Sequence, residues 1–123
     1  MSLNKIILDN FNTVLAVNGV DVTYQRGNDT VTVKAVIGIT NFRIDTDYGI
    51  SEHIESRDYL IKASDLIING ESILPKKLDK IKQTIANQTI TYEPLAPGDE
   101  PLFIWHDTAR QVLRIHTKQV ATN

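Results

Sequence analysis

The chain contains no cysteine. That absence excludes disulfide frameworks, cysteine-ligated zinc and thiol nucleophiles together, and it fits a reducing, cytoplasmic origin. A basic excess is missing as well: 13 Lys and Arg stand against 15 Asp and Glu, giving a formal charge of −2. A general nucleic-acid binder would carry a large positive balance, so specific nucleic-acid binding is not expected. No apolar run approaches the ~20 residues that span a bilayer. Asp9 interrupts the N-terminal stretch where a signal peptide would be unbroken, so neither membrane insertion nor secretion is expected. No Gly-rich phosphate loop, internal repeat or low-complexity tract is visible; the glycines stand singly, at turns or bends.

What is present suits a pleated surface. Ile, Val and Thr make up about three residues in ten, and β-branched types favour strands. A chain of 123 residues is one domain by length, and it buries enough surface to fold without a metal or cross-link. We expect a helix over residues 1–18 and a β-barrel over residues 19–123. In the helix, Leu3, Ile6, Ile7, Phe11, Val14 and Leu15 recur at three- and four-residue steps, which places them on one stripe. Ser2 or Asn4 is the expected cap, and Gly19 the expected left-handed stop.

From Val20 onward the pattern is strand and turn. Val20, Val22 and Tyr24 alternate, and Arg26 to Asp29 is turn chemistry. In the stretch from Thr30 to Ile44 the apolar residues move from odd to even positions. That phase flip requires a bulge, or burial on both faces, near Gly38. A strand follows Asp45–Gly49, a hairpin turns around Asn87, and prolines keep residues 93–101 out of any ladder. The fold class is mainly β: a small barrel or sandwich with an N-terminal helix and long mobile loops.

Near the C terminus, "HDTARQVLRIH" concentrates imidazole, carboxylate and guanidinium groups. Side chains alternate along a strand, so Arg110, Val112, Arg114, His116 and Lys118 share one side and Leu113 and Ile115 the other. The first set is expected to face solvent or a protein partner. Adjacent His106 and Asp107 point apart in extended chain, and no Gly-x-Ser-x-Gly nucleophile motif is present. His53, His106 and His116 lack metal-ligand spacing. No catalytic, metal or cofactor residues are therefore expected. Asp45, Asp47, Glu52, Glu55 and Asp58 form an acidic segment, relieved by Arg43 and Arg57 and read as solvated. Lys76, Lys77, Lys80 and Lys82 form the opposite patch. A subunit that docks head to tail needs two such complementary surfaces.

Five stretches carry a family likeness: "VTYQRG" (Val22–Gly27), "YGISEHIESRDYLIKASDLI" (Tyr48–Ile68), "LPKKLDKI" (Leu74–Ile81), "YEPLAPGDEP" (Tyr92–Pro101) and "LRIHTK" (Leu113–Lys118). Together they resemble small structural proteins of tailed phages and prophages, of the head–tail joining or head-completion group. One departure is that Leu78 precedes Asp79 where that group commonly has glycine, so the local turn is expected to differ. The resemblance implies a small barrel that forms a ring between the DNA-filled head and the tail, without catalysis. Its implied partners are the portal or adaptor and tail proteins, with the isolated subunit monomeric. It would assemble in the bacterial cytoplasm and end at the head–tail junction of the virion. Tyr48, Phe103, Trp105, Arg110, Arg114, His116 and Lys118 are the expected protein-contact residues. A ligand-binding barrel, another minor tail component, or a hydrolase built on His106, Asp107 and one of Asp45 or Asp47 are the competing readings.

Overall fold

A computed structural model describes residues 3–45, 47–98 and 100–122, with helix side chains from Leu8 onward. The side chains of Leu3, Ile6 and Ile7, and the expected cap at Ser2 or Asn4, lie outside the described set. Helix α1 (Leu3–Asn18) is followed by β1 (Val20–Arg26), β2 (Asp29–Asp45) and β3 (Ser51–Lys62). A 3-10 turn at Ala63–Asp65 leads to a two-residue hairpin, β4 (Ile67–Ile68) and β5 (Glu71–Ser72). The remaining strands are β6 (Lys80–Ile85), β7 (Gln88–Pro94), β8 (Phe103–Trp105) and β9 (Val112–Thr122). The mainly β class with one N-terminal helix is as the sequence indicates.

The antiparallel pairs run β3–β2–β1–β6–β7–β9, and β9 pairs back onto β3. Six strands thus form a closed cycle, which leaves few open edges. Along one flank of β9, β7 pairs with residues 117–122 and β8 with residues 113–115. The interior of so small a closed sheet is filled by side chains. Tyr24, Tyr59, Ile61, Leu66, Ile81, Leu113 and Ile115 are all buried there.

The outer face of β2, β3 and β9 carries a second layer. Phe11 and Leu15 of α1 pack on Leu60 and Val112, with Val36 beside them; each such buried side chain contributes about 2 kcal/mol. This layer explains the phase flip in β2. Its register with β3 is unbroken from Ala35↔Ile61 to Asp45↔Ser51, so there is no bulge. Instead, the odd residues of its first half face the interior, and the even residues of its second half are covered from outside.

Gly19 has a different role from the one expected. Its φ is not positive; a Cβ there would collide with the Leu15 carbonyl oxygen, which accepts the Gly19 N–H at 2.9 Å. The final strand begins at Val112 rather than Ala109, because the residues before it form a turn. Asp107 Oδ1 accepts from the N–H groups of Gln111 (3.0 Å) and Val112 (2.9 Å).

Candidate functional site

Four of the five stretches that resemble the phage proteins meet in two pairs, each pair around one buried carboxylate. "ESRDYLI" on β3 meets "LRIHTK" on β9 at Asp58. Arg114 Nε donates to Asp58 Oδ2 at 2.7 Å, Ser56 Oγ to Oδ1 at 2.5 Å, and Thr40 Oγ1 also donates to Oδ2. His116 Nδ1 lies 3.0 Å from Oδ1. An ionised carboxylate only accepts, so this ring nitrogen carries the proton. Burial alone would raise the Asp58 pKa, but the donors His116, Ser56, Thr40 and Arg114 together hold it well below the usual carboxylate range.

Two expectations are corrected here. Asp58 is not solvated like the rest of the acidic segment; it is fully buried. The row Val112, Arg114, His116 does lie on the outer side of β9, yet it is not a solvent face. Val112 and His116 are buried at 0% and 2% exposure, because α1 packs on Val112 and the Phe42 ring of β2 meets the His116 ring edge to face, 5.0 Å between centres. His116 is therefore withdrawn from direct contact with any partner. Arg114 is half-buried and committed to Asp58.

Ser56, His116 and Asp58 bring together the residue types of a nucleophilic relay, but not its geometry. A relay places imidazole between the hydroxyl and the carboxylate, one ring nitrogen toward each. Here Ser56 Oγ donates directly to Asp58 and stands 3.4 Å from the same Nδ1 that faces the carboxylate. All three are buried. The cluster cross-ties β2, β3 and β9 and generates no nucleophile.

"VTYQRG" on β1 meets "LPKKLDKI" at Asp79. Arg26 donates twice to its carboxylate, Nε at 2.9 Å and Nη2 at 2.8 Å; Tyr24 Oη and the Lys76 N–H (2.9 Å) complete the set. Arg26 Nη2 also reaches the Leu74 carbonyl at 2.6 Å. Burial opposes ionisation, yet Arg26, Tyr24 and the Lys76 amide hold the Asp79 pKa down. The clamp fixes the loop from Leu74 to Asp79, which presents Lys77 and Leu78 outward; Leu78 is 78% exposed. The Asp79 N–H closes the turn onto the Lys76 carbonyl at 3.1 Å. Leu78 needs no positive φ there, so a leucine before Asp79 costs no backbone strain.

The loop after β7 also has two anchors, both on one residue. The Leu95 N–H donates to the His116 carbonyl (2.7 Å), and the His116 N–H donates to the Leu102 carbonyl (2.9 Å). Pro97 is fully buried, and Gly98 lies against Ile44 of β2.

The expected contact residues are scattered over these elements. Beyond Arg57↔Thr117, the last pair that includes Arg57, β2 and β3 pair only with each other, forming a two-stranded arm from Thr40↔Ser56 to Asp45↔Ser51. Tyr48, at 90% exposure, and Ile50, at 61%, occupy its tip. Phe103 and Trp105 are half-buried and packed against the core, with Ile104 exposed between them. Arg110 is exposed in the Asp107 turn with φ 56°, and Lys118 is exposed on β9. The structure does not gather these residues into one patch.

None of the curated proteins matches the chain significantly. The family model described as phage head-tail joining protein matches residues 7–123, so the chain belongs to the phage head–tail joining protein family.

Proposed function

We propose that this chain is a connector subunit that docks between the portal side of a DNA-filled head and the tail, as one member of a ring. It acts by presenting surfaces and catalyses no reaction. The observation that carries this reading is the arm of β2 and β3, which leaves the closed sheet and ends in exposed Tyr48 and Ile50. A two-stranded ribbon is only marginally stable in water, and it gains stability when its apolar tip is covered. The formal charge of −2 suits a ring through which DNA must pass without adhering. Arg110, Lys118 and Ile104 offer further exposed contacts. Assembly in the host cytoplasm and a final position at the head–tail junction follow from this role.

The ligand-binding barrel is less well supported. It needs an internal apolar cavity, whereas tyrosine, leucine and isoleucine side chains occupy the interior. The deciding experiment adds purified protein to filled heads that lack their completion protein, then adds tails and counts infectious particles. Wild type should restore the titre, and Tyr48→Ala with Ile50→Ala should lower it by about tenfold or more, as loss of an interface anchor does. Failure of the wild type with its cognate heads and tails overturns the reading.

A further inference from the structure

The tip of the β2–β3 arm carries acidic residues, Asp47 and Glu52, and a groove beside β7 carries lysines, Lys77 and Lys118. Resting on the connector reading above, we infer that copies of this chain associate head to tail, the β2–β3 arm of one copy seated in the groove beside Lys77 and Lys118 of the next.

The arm carries an apolar tip inside a rim of carboxylates. Asp47 and Glu52 flank Tyr48 and Ile50, and Glu55 follows on β3. Among the described residues, no cation pairs with these three acids; Asp45 alone is paired, with Arg43 at 3.1 Å. The groove is the converse. It encloses about 330 Å³, lined by apolar Leu78, Leu95, Ala96 and Leu102 together with Lys77 and Lys118. Glu93 also lines it, but its charge is taken by Lys80. Lys77 and Lys118 have no carboxylate partner among the described residues. An apolar centre ringed by charge is the usual anatomy of a protein interface.

Both walls of the groove are fixed in advance, which limits the ordering cost of docking. The Asp79 clamp holds the wall that bears Lys77 and Leu78. The two backbone bonds to His116 hold the wall from Leu95 to Leu102. An arm cannot fill its own groove: its ladder is unbroken from Thr40 to Asp45, and Ile44, one residue from its far end, is held against Gly98 of the same chain. The occupant is therefore a second copy. A contact between two different surfaces repeats from copy to copy and closes into a ring when the rotation permits.

The absence of cysteine makes the test clean. Tyr48→Cys and Leu78→Cys in one chain, treated with a short bismaleimide, should give a ladder of dimers, trimers and higher species. The ladder is sought at high protein concentration and in joined particles; either single variant should stop at the dimer. Lys77→Glu with Lys118→Glu should weaken the ladder about tenfold at ~0.1 M salt, and adding Asp47→Lys with Glu52→Lys to the same chain should restore it. All four charge positions are exposed, so folding is spared. No ladder in particles that join normally, or a ladder indifferent to charge reversal, overturns the arm-in-groove contact and leaves the connector reading intact. A charge-sensitive ladder from a protein that cannot join heads to tails supports the contact and removes the connector reading instead.

Discussion

Arg114 crosses β2 at Gly38: a Cβ on Gly38 would come within 2.9 Å of the Arg114 Nη2 atom. The glycine thus lets the guanidinium lie flat over the strand and reach Asp58. Gly38→Ala sets two effects against each other. Alanine improves the strand by about 0.5 kcal/mol, while displacing a charge-assisted hydrogen bond costs about 1.5–3 kcal/mol. The second wins, so urea denaturation should show a net loss of about 1–2 kcal/mol. In an Arg114→Met background the same change should become neutral or stabilising, and a loss of equal size in both backgrounds would refute the crossing.

Asp58 and Asp79 both have pKa values held below the ordinary carboxylate range. Unfolded aspartate titrates near about 3.9. A depressed native pKa therefore gives stability that is complete above about pH 5 and drains away as pH falls through 4 toward the native values. With two such groups, stability should fall by up to about 2.7 kcal/mol per pH unit on the acid side. Asp58→Asn should cost about 3 kcal/mol at pH 7, since it leaves Arg114 facing a neutral group. It should also flatten the acid limb by about one proton, as read from thermal melts between pH 2 and 6.

Much of this fold was legible in the sequence. Alternation over Val20–Tyr24, the hairpin at Asn87 and the helix itself all depend on near neighbours, and such patterns survive folding; of the described stripe residues Phe11 and Leu15 are buried, whereas Val14 is 41% exposed. The outer row of β9 was also read on its correct side. What the alternation could not show was that a second layer covers that side, because α1 and Phe42 of β2 arrive from distant sequence. The alternation alone therefore points His116 toward solvent. Asp58 carried a local hint, since it shares its strand face with Ile54 and Leu60, but the neighbouring acids hid it. The clamp at Asp79 joins residues more than fifty positions apart (Arg26 and Asp79), and no periodicity encodes that.

Inside the sheet, Tyr59 Oη donates to Gln83 Oε1 at 2.8 Å, and Arg57 Nη2 donates to the same oxygen at 2.9 Å. Arg57 also lies over the Tyr92 ring, 5.1 Å from its centre. Burial pushes the Tyr59 hydroxyl up to about 12 despite the opposing effect of Arg57, and burial together with Asp79 raises Tyr24 further. A raised native pKa leaves stability complete below about pH 10, where unfolded tyrosine titrates, and removes it as pH rises beyond. Absorbance at ~295 nm should show neither tyrosine ionising in native protein below about pH 11, their signal arriving together with unfolding. Ionisation of Tyr59 at an ordinary pH, with the fold intact, would contradict its burial.

Trp105 and Tyr48 separate the stability of this domain from its docking. Trp105 pairs with Leu113 across the β8–β9 ladder and meets Phe103 edge to face, ring centres 6.1 Å apart. It closes the core, and Trp105→Ala should cost about 3 kcal/mol, lowering Tm by about 10 °C in a domain of this size. Tyr48 touches water on nearly every side, so Tyr48→Ala should change stability by less than about 0.5 kcal/mol. Joining activity should order the two variants the other way. Tyr48→Ala should join less well than wild type at every temperature while fully folded, whereas Trp105→Ala should regain activity once cooled well below its Tm. If folded Trp105→Ala stays inactive in the cold, Trp105 is itself a contact residue, and the lid and the docking surface are the same part of the molecule.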